Sequence, residues 1–328
     1  MGKKIKVFAT SFLDELLTHP EDEGRALSML KEAAGRNSLE LELRCDRSPL
    51  KPMTADELQD TLAVIADLET YDPELFLKAG RKHGGPLGLI ARYGIGYNNV
   101  DVKAANEAGV LVTNTPGANS LPTAEWAITT LLDIAGRRIP HHTRASVGQT
   151  KSGPSRLDIS GRTLGIIGTG NIGKQVARLL SGFQMKILAA DLYPDEEWAR
   201  ENNVHYVDIA EICAQADFIT LHASGGGQLI GKKELGLMHP TTALINCARG
   251  VLVDNYAVYC AVKTGQLWGY GIDEVWDNEE LPLEGLNIAA SPHVGSDTDR
   301  GKLQMQLMSA RAVVDFVDGK QPEYVVQM

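Results

Sequence analysis

An apolar run, Leu164-Gly165-Ile166-Ile167, meets Gly168-Thr169-Gly170-Asn171-Ile172-Gly173, and a helical pattern through Val176, Leu179 and Leu180 follows at once. Each glycine of this G-x-G-x-x-G has a task in holding a dinucleotide. Gly168 allows the tight turn out of a strand, Gly170 lets a pyrophosphate approach a backbone without Cβ, and Gly173 lets helix and strand pack closely. A helix beginning here aims unpaired N–H groups and the positive end of its dipole at that phosphate. A second strand, Met185 to Ala190, closes on Asp191, 18 residues past Gly173. An acid at that place grips the adenosine ribose hydroxyls and repels a 2′-phosphate, which favours NAD over NADP.

Arg249 follows a run from Ala243 to Cys247, Asp273 ends one from Gly269, and His293 follows one from Asn287 to Ala290. Each lies at or just past the carboxyl end of an expected parallel strand, the edge where open α/β sheets bind ligands. Singly they read as a surface arginine, a surface acid and a core histidine. On the edge that carries a nucleotide fingerprint they read as a site.

Alternating strands and helices must position them. Ile5 to Ala9 is expected as an opening strand, Leu13 to Ala34 as a helix, and Leu39 to Leu43 alternates with the period of a half-buried strand. Thr54 and Glu57 have capping-box spacing for a helix from Ala55. Short strands are expected at Val64 to Ala66 and Leu87 to Ala91, and another at Val110 to Val112 before the turn Asn114-Thr115-Pro116-Gly117. From Pro122 to about Arg138 the chain is apolar on more than one helical face, as between domains or subunits. Gln149 to Ser160 reads as a loop, Phe218 to His222 as a strand, Asn255 to Thr264 as a helix closed by Gly265, and Asp299 to Val317 as the last helix. Such alternation means parallel sheets flanked by helices.

A chain of 328 residues is comfortable for two domains. It is 43% apolar and 23% charged, with a net charge of −10 and dispersed lysine and arginine, which argues against nucleic acid or anionic membrane as partner. Cys45, Cys213, Cys247 and Cys260 show no C-x-x-C spacing, so no metal or disulfide is implied. The apolar run near the basic N-terminus is too short for a signal peptide, and no stretch reaches membrane-span length; a cytoplasmic protein is expected.

These residues resemble the D-isomer-specific 2-hydroxyacid dehydrogenase family over nearly the whole chain. The match runs through Gly94-Ile95-Gly96 with Asn98-Asn99-Val100-Asp101, then Asn114-Thr115-Pro116-Gly117 and Ala124-Glu125. It continues through the fingerprint, Asn246-Cys247-Ala248-Arg249-Gly250, Asp273 and Pro292-His293-Val294-Gly295. The resemblance implies two Rossmann-like parallel-sheet domains with a cleft between them, the dinucleotide-binding domain (102–293) inserted into a substrate domain (1–101 plus 294–328). It also implies a homodimer through the inserted domain, and NAD-dependent hydride transfer between a D-2-hydroxy acid and its 2-oxo acid. The phosphoglycerate-oxidising branch stays open, as does a corepressor-like NAD(H)-sensing protein without significant turnover.

Roles carry over by resemblance. Arg249 binds the substrate carboxylate with its always-charged fork, His293 is the general acid and base, and Asp273 holds the nicotinamide carboxamide. Tyr93 lies at the substrate, and the N–H groups of Ile95 and Gly96 hold it. Thr123, Gly168, Gly170, Asn171, Ile172, Gly173, Asp191, His222, Ala223, Cys247, Ala248, Asp273 and His293 contact the cofactor. The glutamate that pairs with the histidine falls on Asn278 without a gap and on Glu279 with one inserted residue; Glu279 keeps the downstream Leu281-Pro282 in register. The run Ser224-Gly225-Gly226-Gly227 departs from the family pattern beside the nicotinamide ribose.

Overall fold

The computed structural model describes residues 3–8, 20–44, 51–149, 155–225, 227–274, 276 and 281–327. The chain divides into two units, Met1–Asn119 with Thr298–Met328, and Ser120–Asp297.

In the first unit, strands β1 (Lys4–Val7), β2 (Glu40–Leu43), β3 (Thr61–Ala66), β4 (Leu89–Arg92) and β5 (Leu111–Thr113) form an all-parallel sheet in the order β2-β1-β3-β4-β5. Edge strand β2 is half exposed, as its alternation requires, whereas β4 is buried throughout. Helix α1 (Pro20–Arg36) overlaps the expected helical stretch and runs two residues past its expected end at Ala34. The capping box at Thr54 forms, with the Thr54 N–H donating to Glu57 Oε2 at 3.2 Å and the Glu57 N–H to Thr54 Oγ1 at 3.4 Å. It opens a 3-10 turn at Asp56–Leu58 rather than a longer helix, because β3 begins three residues later.

The second unit opens with α2 (Ser120–Gly136). Its seven parallel strands are β6 (Thr163–Ile167), β7 (Lys186–Ala190), β8 (Val204–Tyr206), β9 (Phe218–Leu221), β10 (Ala243–Asn246), β11 (Gly269–Ile272) and β12 (Ile288–Ala290). Their order is β12-β11-β10-β9-β6-β7-β8. The direction of winding reverses between β6 and β9, the switch point where doubly wound sheets take ligands. Helix α3 (Asn171–Leu179) follows β6 and packs against α2. The expected helix through Arg138 stops at Gly136. Arg137 turns left-handed (φ 49°), with its guanidinium stacked 4.0 Å above the Trp268 ring, and a second helix runs Arg138–Ser146. The chain then returns to the first unit as α4 (Asp299–Val317), which packs on α1, β3 and β4.

The first unit is built from two stretches of chain, with the second unit between them. The stretch 102–119 belongs to the first unit, because β5 bonds to β4 and Val102 and Ala105 sit in that unit's core. At the other end, 294–297 stay with the second unit, because Asp273 holds the N–H groups of Val294 and Gly295.

Candidate active site

At the switch point three strand ends are knotted together. The Gly168 N–H donates to Ala190 O at 2.8 Å, and the His222 N–H donates to Ile167 O at 2.7 Å. Gly168 sits at φ 97°, and a Cβ on it would lie 2.5 Å from the Ala223 nitrogen. A Cβ on Gly173 would lie 2.1 Å from the Gly168 carbonyl oxygen. Both glycines are therefore demanded by the fold. At Gly170 no atom of the described residues lies within 4 Å of the Cβ position, which leaves the backbone open to a ligand's approach. Gly170 caps α3 with no side-chain hydrogen bond, so Asn171 and Ile172 open that helix with its first N–H groups uncapped.

Asp191 follows β7 beside this turn. Its Oδ2 accepts the Thr169 N–H at 2.6 Å and the Thr169 hydroxyl at 3.1 Å, and its Oδ1 accepts the Tyr193 N–H at 2.9 Å. Burial pushes this carboxyl up, but the hydrogen bonds from Tyr193, Thr169 and Leu192 outweigh burial and hold it below the usual carboxylate range. His222 follows β9. Its Nε2 lies 2.9 Å from Thr220 Oγ1, while its buried Nδ1 has no hydrogen-bond partner. Burial pushes the ring down to about 3, so it is neutral at ordinary pH. Ala223 is half-buried against Gly168, Thr123 is buried in the first turn of α2, and Cys247 is buried past β10 with its thiol pushed up by burial. Ala248 donates its N–H to Asn246 Oδ1 at 3.0 Å. An open approach at Gly170, an uncapped helix start and an orphaned Nδ1 on the neighbouring strand end fit a dinucleotide.

Arg249, Asp273 and His293 fall on the same carboxyl edge of the second sheet. Arg249 is exposed; its Nη1 donates to the neighbouring Ala248 carbonyl at 2.7 Å, and its own carbonyl is pinned by Asn246 Nδ2 at 2.9 Å. Asp273 is only 9% exposed. Its Oδ1 accepts the Ser291 hydroxyl at 2.7 Å and the Val294 N–H at 2.9 Å, and its Oδ2 accepts the Gly295 N–H at 2.7 Å. Trp126 Nε1, from α2, donates to Ser291 Oγ at 3.2 Å. Between these anchored residues stands His293, exposed and left-handed at φ 59°, a conformation that costs a non-glycine residue about 1–2 kcal/mol. Glu279 and Asn278, the two candidates for the histidine's partner, lie outside the described residues.

In the first unit, β4 ends in Arg92 and runs into Gly94-Ile95-Gly96. Tyr93 is 6% exposed and packs in the first unit's core with Ile65 and Ala91. Three carbonyls of the loop are tied: Gly94 O accepts the Thr115 N–H at 3.1 Å, Ile95 O accepts Asn114 Nδ2 at 2.8 Å, and Gly96 O accepts Arg92 Nε at 3.0 Å. In a trans peptide the next N–H points opposite to its carbonyl. The N–H groups of Ile95 and Gly96 therefore face away from these anchors. Arg92 is 4% exposed, and its Nη1 also donates to Ala66 O at 2.8 Å and to Asp67 O. Burial lowers its pKa from a very high starting value, while Asp67 and Glu69 oppose that shift. Sequence reasoning passed over Arg92, Trp126 and Ser291. A charged residue inside an otherwise apolar strand run was the available signal for Arg92; the other two carried none.

The chain matches the family model for the D-isomer specific 2-hydroxyacid dehydrogenase NAD binding domain over residues 128–295. It is 33% identical to a glyoxylate reductase of Korarchaeum cryptofilum, with 98% of this chain and 96% of the relative covered. It is 36% identical to a D-3-phosphoglycerate dehydrogenase of Methanocaldococcus jannaschii over 74% of this chain but only 48% of that longer protein. Among solved structures, a Thermus thermophilus protein superposes with a TM-score of 0.79 at 28% identity, covering 93% of this chain and 97% of the other. The D-lactate dehydrogenase of Escherichia coli, at a TM-score of 0.78 and 23% identity, shares the fold. With the fingerprint, the switch-point geometry and this full-length likeness together, the chain belongs to the D-isomer specific 2-hydroxyacid dehydrogenases, NAD-dependent enzymes that move a hydride between a 2-hydroxy acid and its 2-oxo acid.

Proposed function

We propose that the protein reduces a small 2-oxo acid of the glyoxylate type, using NADH in preference to NADPH. The substrate class follows the relatives named glyoxylate reductase, which match at 33–34% identity over 86–98% of this chain. The cofactor preference rests on Asp191, whose held-down carboxylate repels a 2′-phosphate.

NAD(H), when bound, supplies or takes the hydride; the rest is done by this chain. The turn Gly168 to Gly173, with Asn171 and Ile172, holds the pyrophosphate, and Asp191 the adenosine ribose. Thr123, His222, Ala223, Cys247 and Ala248 line the nicotinamide half. Asp273 keeps one lone pair on Oδ2 for the carboxamide. Arg249 binds the substrate carboxylate, and the N–H groups of Ile95 and Gly96 are the first unit's own substrate contacts. His293 gives its proton to the carbonyl oxygen as the alcohol forms, with Glu279 favouring its charged form. What supports this reading best is the anchored loop that holds His293 on the fingerprint's own sheet edge. The exposed apolar residues Leu132 and Ile139, on α2 and the helix after it, support a homodimer through the second unit. Among the described residues no helix is long and apolar enough to cross a membrane, and a cytoplasmic location suits an enzyme of NADH.

Loss of NADH absorbance over a panel of glyoxylate, hydroxypyruvate, pyruvate and bulkier 2-oxo acids tests the substrate class. The smallest acids should turn over fastest, and Arg249→Lys should lose on the order of a hundredfold in kcat/KM through the missing fork. Tight NADH binding with no turnover on any acid would sink the proposal and favour a sensor.

A further inference from the structure

We propose that Ser291 and Trp126 are positioning residues for proton transfer, acting through Asp273 to fix the backbone that aims His293. This rests on the reading of His293 as the general acid. The Asp273 carboxylate brackets that histidine: it accepts the Ser291 hydroxyl on one side and the N–H groups of Val294 and Gly295 on the other. A hydroxyl has one proton to give. The Ser291 proton goes to Asp273 at 2.7 Å rather than to the Ile272 carbonyl at 3.4 Å, which leaves a lone pair for the Trp126 indole at 3.2 Å. Gly295 makes the cluster compact, since a Cβ there would lie 2.6 Å from Asp273 Oδ2 and 3.3 Å from the Trp126 ring.

The network thus runs from the α2 helix to a residue held left-handed at φ 59°, a conformation that persists only where its surroundings over-determine it. With the Ser291 hydroxyl removed, the carboxylate loses the bond on the near side of His293, and the indole N–H loses its acceptor. The loop then samples other conformations, and the imidazole spends less time in line with the carbonyl oxygen. Cofactor binding is spared, because Ser291 bonds Asp273 Oδ1 whereas the lone pair kept for the carboxamide is on Oδ2.

Ser291→Ala, Ser291→Thr, Trp126→Phe and His293→Asn are compared by steady-state reduction of glyoxylate and by NADH titration of the intact protein. Ser291→Ala should lower kcat by about tenfold or more, as misplacement of a reacting group does, with the NADH Kd unchanged. Ser291→Thr, which restores the hydroxyl, should recover most of kcat, and Trp126→Phe should fall between it and Ser291→Ala. Wild-type kcat in Ser291→Ala, or a loss that Ser291→Thr does not repair, overturns the proposal. So does a loss of NADH affinity as large as the loss in kcat. Should Ser291→Ala fail to fold, a full-speed Trp126→Phe is overturning and a slowed one with normal NADH binding is supporting. An active His293→Asn removes the histidine's role itself, whereas an inactive one beside a fully active Ser291→Ala removes only the positioning.

Discussion

The two units carry look-alike turns at strand ends, Gly94-Ile95-Gly96 after β4 and Gly168-Thr169-Gly170 after β6. They are held by opposite means. The second is fixed by backbone against backbone, with Gly173 pressed on the Gly168 carbonyl and a helix starting at once. The first has no helix behind it; a buried arginine and an asparagine hold its carbonyls from below. A helix start supplies several N–H groups and a dipole, which suits a pyrophosphate. A loop propped by side chains turns out fewer N–H groups and no helix dipole. The same glycine spacing is therefore supported in two different ways, by backbone in one unit and by side chains in the other.

Gly173→Ala should break this contrast most severely. Its methyl group would meet a backbone oxygen that cannot move, at the upper end of the roughly 1–3 kcal/mol typical of overpacking, and thermal unfolding should show a Tm lower by several degrees. Gly170→Ala, with open space around it, should keep the wild-type Tm and lose only NADH affinity. Equal Tm losses in the two variants would refute the division of labour among the three glycines.

Arg92→Lys keeps the charge but cannot span the Ala66, Asp67 and Gly96 carbonyls at once. A charge-assisted hydrogen bond lost from Gly96 corresponds to about tenfold in substrate affinity. KM for the 2-oxo acid should rise by about that factor while NADH Kd stays put. A change in NADH Kd without one in KM would show that the two turns are not independent.

The smallest effect sharpens the second turn alone. Because the Asp191 carboxyl is held below its usual value in the folded protein, it contributes stability that is fully present above the ordinary carboxylate range and fades as pH falls through the folded value. Asp191→Asn should flatten that acid limb in denaturation followed by near-ultraviolet circular dichroism, and should narrow the preference for NADH over NADPH. An acid limb identical to wild type would remove Asp191 as the holder of Thr169.

The fingerprint turn was legible because its demands are local. Glycine type and strand-to-helix order carry them: a Cβ would clash at Gly168 and Gly173, whereas the Cβ position at Gly170 is open. Arg249, Asp273 and His293 were legible as strand-end positions for the same reason. The anchorage of His293 was not, since Trp126, Asp273 and Ser291 are far apart in the chain and meet only after the sheet has formed. The three-residue edge strand Leu111–Thr113 gives almost no periodic signal, yet it completes the first sheet.

The inserted arrangement also sets an order of assembly. Everything the second unit needs, Ser120 to Asp297, has left the ribosome before the first unit's α4 exists. Yet Met305, Ala310, Ala312 and Val313 of α4 fill the core under β1, β3 and β4, and the Val326 N–H bonds Val112 O beside edge strand β5. During synthesis the part of the chain made first is therefore the last to close, and until its final helix emerges its half-covered sheet is the surface a chaperone would meet.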